Sequence, residues 1–460
     1  MKPKFDTYQK AVIYEKSDLL VIAGPGSGKT TTILEKVHYL LQNHISEDEI
    51  ILISFTNKSV QDIKERLNQN IYVTTFHKLA IDILNTYNYP YKICPNNLLD
   101  YIIDEFFKSF SKKESKRLCR YLNITKLDIY SHNYHSLKNL IKTFIFLYKT
   151  NNYNKNKLIE IINNQKDRYL IKLIITIFSI YEEEKKGNNY LDFDDLIITA
   201  TDLLKTKYIY KNFKYIIVDE FQDTSQIRFN LIKEIKKNCN SILTAVGDDA
   251  QSIFHFSGCD INIFLNFQKY FPNSKVLFLK NTYRNSQELI DISSKFINKN
   301  KRQIKKNMIS NTHIQKPIIY QYYKHAPYAL KKAIDSINSD NIMIISRNKK
   351  DLYLFLDKDL KFENNFISYK NKTYKYLTIH SSKGLESDYV IILNVSDSLL
   401  GIPNKLENHP IINYLSKDDS YPYAEERRVF FVGLTRCKYQ TYLLIPKNNP
   451  SKFIKELKKL

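Results

Sequence analysis

The chain is expected to fold as a parallel α/β protein with two sheet-based cores flanking a helical excursion, and three observations carry that expectation. An apolar run opens into a glycine-rich loop and a helix start, VIAGPGSGKT at Val21–Thr30. A second apolar run, far downstream, ends in adjacent carboxylates, IIVDEFQDTS at Ile216–Ser225. Between residues 96 and 184 the apolar residues recur at spacings of three and four within polar text, as in YIIDEFFKSF and YLIKLIITIFSIYEEEKK. Strand, turn and helix in alternation is the signature of a parallel sheet, and the three-to-four spacing that of amphipathic helices.

Taken in order, Leu19 to Ala23 is expected as a strand, a helix follows Thr30, Ile50 to Phe55 is the next strand and Lys58 to Leu67 its helix. The helical insert comes next. Strands return at Tyr215 to Asp219, Ile242 to Gly247 and Lys275 to Leu279, and a final α/β section places strands at Ile342 to Ser346, Tyr376 to Ile379 and Tyr389 to Leu393. The stretch KDLKFENNFISYKNKTYK is expected as a short connecting loop. A chain of 460 residues accommodates about three or four structural units of ordinary size.

The two opening segments specify chemistry. In the first, backbone N–H groups wrap phosphate oxygens, Lys29 reaches the β and γ oxygens, and Thr30 supplies a hydroxyl to Mg²⁺. In the second, Asp219 suits the magnesium shell and Glu220 suits positioning the attacking water. Together they imply ATP hydrolysis driving a motor rather than nucleotide binding alone.

The formal net charge is +22, from 70 basic and 48 acidic residues, which favours a polyanionic partner such as nucleic acid. Abundant Lys, Asn, Ile and Tyr with scarce Gly and no Trp also fit an AT-rich genome, so the excess has two explanations. Runs such as KNKRQIKK at Lys299–Lys306 read as solvated faces. Cys94, Cys119, Cys239, Cys259 and Cys437 lack CxxC spacing and read as reduced bystanders. No apolar run is long enough to cross a bilayer and the first residues lack a signal-peptide pattern, so a soluble, cytoplasmic protein with no membrane partner is expected.

Further segments follow in the order seen in superfamily 1 helicases of the UvrD/Rep kind, which nearly the whole chain resembles. FDTYQKAV at Phe5–Val12 is similar to that family's adenine-reading element, with Gln9 on the base edge. SFTNKS at Ser54–Ser59 and TTFHKLA at Thr74–Ala80 resemble its first DNA-contacting motifs, and LDFDDL at Leu191–Leu196 the stretch before its acidic strand. AVGDDAQSIFHFSG at Ala245–Gly258 resembles motif III, TYRNS at Thr282–Ser286 motif IV, TIHSSKGLE at Thr378–Glu386 motif V, and EERRVFFVGLTR at Glu425–Arg436 motif VI. The resemblance implies two RecA-like domains of the P-loop NTPase class: a first domain (1A) over 1–90 and 193–280, a helical subdomain (1B) over 91–192, and a second domain (2A) over 281–460. The accessory 2B element is reduced to a loop near 358–374.

It also implies roles. Lys29, Asp219, Glu220, Gln251, Arg284 and Arg436 would be catalytic, with Gln251 sensing the γ-phosphate and the two arginines supplied by the second domain, a contribution worth ~10³ to 10⁵ in rate. Gln9, Gly24, Gly26, Ser27, Gly28, Lys29, Thr30, Thr31, Tyr283, Arg284, Glu386 and Arg436 would bind ATP, and Thr30 and Asp219 would hold Mg²⁺. Phe55, Thr56, Asn57, Thr75, His77, Phe254, Phe256 and His380 would face single-stranded DNA, where stacking on aromatic rings tolerates any base. The chain departs from the family pattern at Phe256 and Ser257, where tryptophan and arginine are usual, and in the short interval between Ser346 and Thr378, where a sizeable accessory domain is usual.

The leading expectation is therefore an ATP-dependent 3′–5′ translocase or helicase on single-stranded or tailed duplex DNA, in repair, replication or anti-phage defence. A second reading is a DNA-binding ATP switch that regulates or recruits a partner nuclease, as in helicase subunits of anti-phage systems. A P-loop kinase or transport ATPase is disfavoured by the second-domain arginines.

Overall fold

The computed structural model describes residues 4–163, 167–206, 211–415, 419 and 421–460. Its first sheet is assembled from β1 (Leu19–Ala23), β2 (Ile50–Ser54) and β3 (Tyr72–Thr75), then, after a two-residue pair β4 (Lys92–Ile93) and β5 (Tyr190–Leu191), from β6 (Tyr215–Val218), β7 (Ile242–Gly247) and β8 (Lys275–Leu279). The strand order is β3-β2-β6-β7-β1-β8 and every pairing is parallel. Alternate residues serve two cores: Leu20, Ile22, Ile51, Ile53, Ile216 and Val218 pack on one face, and Leu19, Val21, Leu52, Ile217 and Val246 on the other. Burial on both faces explains why these strands are continuous apolar runs rather than alternating ones. The carboxyl ends of β1, β6 and β7 release the glycine loop, Asp219–Glu220 and Asp248 side by side, where ligands of open α/β sheets bind.

The second sheet contains β9 (Ile318–Tyr323), β10 (Ile342–Ser346), β11 (Lys361–Glu363), β12 (Phe366–Tyr369), β13 (Lys372–Thr378), β14 (Ser387–Ile392) and β15 (Cys437–Pro446), in the order β11-β12-β13-β10-β14-β15-β9. Strands β13, β10, β14, β15 and β9 are parallel, while β11, β12 and β13 form an antiparallel meander. The stretch expected as a connecting loop is thus part of this sheet. Ile367, Tyr369, Tyr374 and Tyr376 are buried in its core at period two. The short turns Asn364–Asn365 and Lys370–Asn371, all at positive φ, masked that alternation in the sequence.

Between β3 and β6 the helices Leu98–Lys108, Lys112–Leu122, His132–Thr150, Lys155–Ile162 and Arg168–Asn188 form a separate apolar core. That core is completed from outside: Ile411, Ile412 and Leu415, between β14 and β15, are buried in it. Asn151 Nδ2 donates to the Leu415 carbonyl at 3.4 Å, and Tyr153 Oη donates to it at 3.2 Å. The second core and the helical insert are therefore joined by packing as well as by the chain. Among the described residues no helix is long and apolar enough to cross a membrane.

Candidate nucleotide cleft and nucleic-acid interface

The loop after β1 is shaped by its glycines. Gly26 and Gly28 have φ of 68° and 76°, and a Cβ at Gly26 would stand 2.4 Å from the Arg284 Cβ. A Cβ at Gly28 would stand 2.9 Å from Gln9 Nε2. Both glycines thus permit a left-handed turn and close approach by residues expected to face the nucleotide. The helix Lys29–Gln42 starts with no side-chain cap, so its first N–H groups and positive dipole end point into the cleft. Ser27 Oγ is buried without a hydrogen-bond partner among the described residues. This cradle of unsatisfied donors fits a polyphosphate.

Pro25 to Thr31, Glu220, Gln251, Tyr283, Arg284, Glu386 and Arg436 line one cleft between the two sheets. Gln9 lies behind it, held in a capping box with Asp6: the Asp6 N–H donates to Gln9 Oε1 at 3.1 Å and the Gln9 N–H to Asp6 Oδ1 at 2.8 Å. Tyr283 Oη donates to Asp6 Oδ2 at 2.8 Å, leaving its ring 62% exposed. Gly24 sits aside from the cleft, against the Met308 side chain.

Glu220 adopts left-handed backbone at φ 51°, a strained conformation for a non-glycine residue of the kind that collects at functional sites. Its Oε1 meets Lys29 Nζ at 3.0 Å, and its Oε2 accepts from Gln222 Nε2 at 2.5 Å. Burial works against the Glu220 charge, but Lys29 and Lys383 outweigh it and hold the carboxyl below the usual range. Its neighbour moves oppositely: burial and the Glu220 charge push Asp219 up to about 6. Asp219 Oδ1 accepts the Glu220 N–H at 2.9 Å. The Thr30 hydroxyl and one carboxylate, completed by phosphate oxygens and water, form a hard-oxygen donor set that fits Mg²⁺. Among the described residues no group of three or more His, Cys, Asp or Glu side chains could hold a metal by itself.

The arginines arrive from the second sheet. Arg436, 1% exposed, donates through Nη2 to Gln251 Oε1 at 3.0 Å, while Gln251 Nε2 donates to Asp248 Oδ2 at 2.7 Å. Gln251 thus links the end of β7 to the other core. Burial, and after it the neighbouring Arg284, lowers the Arg436 pKa to about 9, opposed by Glu220 and Asp248. Arg284 Nε is held on Glu386 Oε2 at 2.8 Å.

Four basic residues of this region were not singled out from the sequence. Lys383 Nζ donates to Asp223 Oδ2 at 2.5 Å and to the Gln251 carbonyl at 2.8 Å. Lys306 Nζ pairs with Asp248 at 2.6 Å and with Asp249. Arg428 Nε donates to the Ser252 carbonyl at 2.6 Å, and Arg66 Nη2 to Thr31 Oγ1 at 3.1 Å. Lys383 and Arg428 stand inside the motif V and motif VI segments, which was the available signal. Lys306 corrects the reading of its run as a solvated face: it is nearly buried, Lys299 pairs with Glu456 at 2.9 Å, and Arg302 donates to Asn262 at 2.6 Å.

The residues expected to face DNA form two groups. On the first core, Phe55 packs edge-on against Phe76 at 5.3 Å, and His77 against the exposed Phe193 at 5.6 Å. Thr56 and Thr75 cap the helices Asn57–Leu67 and Phe76–Thr86, so the side chains of both accept backbone N–H groups. The second group bridges the cores: His380 lies 5.7 Å from Phe256 and 6.3 Å from Phe254. Phe256 is 62% exposed, whereas Phe254 is half-buried beneath Lys383, 5.0 Å away, and against the second core. Phe256 therefore offers an open ring face and Phe254 supports it.

A glycine cradle on one RecA-like sheet, with acidic strand ends beside it and arginines from a second such sheet, defines a two-domain P-loop NTPase of the helicase type. Family comparison agrees: the UvrD/REP helicase N-terminal domain matches residues 6–272, and the UvrD-like helicase C-terminal domain matches residues 362–448. The chain belongs to the UvrD/Rep family of superfamily 1 helicases. It is similar to DNA helicase IV of Escherichia coli (strain K12), with 27% identity covering 98% of this chain and 69% of that protein. A probable DNA helicase II homolog of Mycoplasma capricolum is 32% identical over 68% of this chain and 43% of its own length. ATP-dependent DNA helicase Rep of Buchnera aphidicola is 29% identical over 86% of this chain and 59% of its own length.

Proposed function

We propose that this chain is an ATP-dependent motor that moves 3′ to 5′ on single-stranded DNA. The observation that carries the proposal is the link Asp248–Gln251–Arg436, which runs from the acidic end of one core to a buried arginine of the other. Three residues beyond Gln251 the same segment supplies Phe254 and Phe256, which form a ring cluster with His380 of the second core. One short stretch of chain thus joins the phosphate end of the cleft to an exposed aromatic face. Domain closure that seats Arg436 would also shift His380 of the second core relative to Phe256.

In this reading Gln9 and Tyr283 bind the adenine, and the glycine-loop amides with Lys29 bind the phosphates. Thr30 and Asp219 would hold Mg²⁺, which would supply positive charge against the phosphates. Glu220 orients the attacking water and takes up its proton, drawing on a position where Lys29 and Lys383 keep the carboxylate ionised. Gln251 senses the γ-phosphate, and Arg284 and Arg436 stabilise charge on the transferred group. Phe55, Phe256 and His380, with Thr56, Asn57, Thr75 and His77 around them, receive the strand.

ATP-dependent displacement of streptavidin from oligonucleotides biotinylated at either end tests this function. The expected result is faster displacement from the 5′ end. Displacement that needs no ATP, or that is equal at both ends, would overturn directional movement.

A further inference from the structure

Arg228 lies on the helix Gln226–Cys239, in its first turn, where a cation opposes the helix dipole and no acidic residue compensates. Its guanidinium is half-buried and has no ion pair or side-chain hydrogen bond among the described residues. It stands 5.5 Å from the Phe55 ring centroid and 6.0 Å from that of Phe76. The charged or titratable groups that feel it are His77, Asp194 and Cys259. None of them forms an ion pair with it, and the Asp194 carboxylate instead accepts from Thr150 Oγ1 at 3.2 Å. A half-buried arginine without an anion breaks the usual rule that such charges are paired. Cation–π contact with two phenylalanines offsets only part of that cost.

Resting on the reading of Phe55 and His77 as DNA-facing, we infer that Arg228 is a further nucleic-acid-binding residue, which takes a backbone phosphate of the single strand beside the base stacked on Phe55. Two features converge on it. Phe55 borders the guanidinium and His77 feels its charge, so a strand laid on that surface brings its phosphates within reach. The guanidinium already rests on two phenylalanine rings, so less side-chain freedom is left to lose when the anion arrives.

The test is binding of fluorescent oligo(dT) across a salt series by wild type, Arg228→Gln, Arg228→Lys and Phe256→Ala, with thermal melting of each. One phosphate contact on a single strand contributes about 0.7 to the slope of log K against log salt. Arg228→Gln is expected to lower the slope by about that amount and weaken binding roughly tenfold at low salt, while Arg228→Lys keeps the slope. A slope unchanged in Arg228→Gln, whatever happens to its melting temperature, would overturn the inference and leave Arg228 as packing. If Phe256→Ala and wild type bind equally weakly and without salt dependence, the DNA-facing reading itself fails, and this inference with it. A normal Phe256→Ala defect beside an unchanged Arg228→Gln slope sinks the inference alone.

Discussion

Glu220→Gln is expected to separate ATP binding from ATP turnover. The substitution keeps the side-chain volume and the contact to Gln222, but removes the charge that holds Lys29 at 3.0 Å and faces Lys383 at 3.7 Å. A hydrogen bond to a charged group is worth about 1.5–3 kcal/mol. Glu220 competes with phosphate oxygens for Lys29, so releasing that lysine is expected to leave ATP affinity equal or up to about tenfold tighter. Losing the group that orients and deprotonates water removes about 10² to 10⁴ in rate, some 3–5 kcal/mol of barrier lowering. The assay pairs equilibrium binding of a fluorescent ATP analogue with steady-state phosphate release, using Lys29→Ala as the variant expected to lose both. Turnover of Glu220→Gln within threefold of wild type, or loss of binding parallel to Lys29→Ala, would refute the assignment of the acidic pair.

Phe256→Ala removes an exposed ring worth about 1–3 kcal/mol in base stacking and is expected to weaken oligo(dT) binding and the DNA-stimulated rate together; loss of thermal stability with no change in DNA affinity would show the ring to be core instead. The chain spans 43% to 69% of the lengths of the relatives cited above, and the meander β11–β13 fills the interval between β10 and Thr378. Isolated monomer is therefore expected to translocate on single strands yet separate a 3′-tailed duplex poorly, and efficient single-turnover unwinding of long duplex contradicts this. Burial, aided by Arg228 at His77 and by Arg347 and Lys383 at His380, lowers both imidazole pKa values to about 4. Because the folded state disfavours the proton, the stability these residues contribute above the unfolded value of about 6.5 is lost as pH falls toward 4. After discounting for partial exposure this is about 1 kcal/mol per histidine by pH 5, and a His77→Asn, His380→Asn variant should show a correspondingly flatter pH–stability curve than wild type.

That the candidate cleft would gather these residues was legible because they are locally placed. Gly26, Gly28, Lys29 and the Asp219–Glu220 pair lie in short segments next to strands, and strand ends on a parallel sheet fall together whatever joins them. The expected strands at Leu19–Ala23, Ile242–Gly247, Lys275–Leu279 and Ile342–Ser346 are β1, β7, β8 and β10. Strands β9, β11, β12 and β15 were missed, and of β13 only the end from Tyr376 was expected. There the tyrosine-rich alternation is half polar in composition, and only pairing outward from β10 and β14, through β13 on one side and β15 on the other, makes those strands core. The partners of contacts across long separations left no sequence trace. Lys306 reaches Asp248, Arg428 reaches Ser252, and Ile411, Ile412 and Leu415 enter the helical core, each through packing that periodicity does not encode. The left-handed backbone of Glu220 was likewise invisible, since nothing in the residue type announces it.

The central claim is that Gln251 and Arg436 couple the nucleotide cleft to a strand-binding face, and steady-state ATP hydrolysis with and without single-stranded DNA tests it most directly. Wild type is expected to hydrolyse ATP at least tenfold faster with saturating oligo(dT), by seating the second-core arginines. Gln251→Ala, which cuts the link between Asp248 and Arg436, is expected to bind DNA yet lose that stimulation. Equal wild-type rates with and without DNA, or full stimulation in Gln251→Ala, would contradict the account.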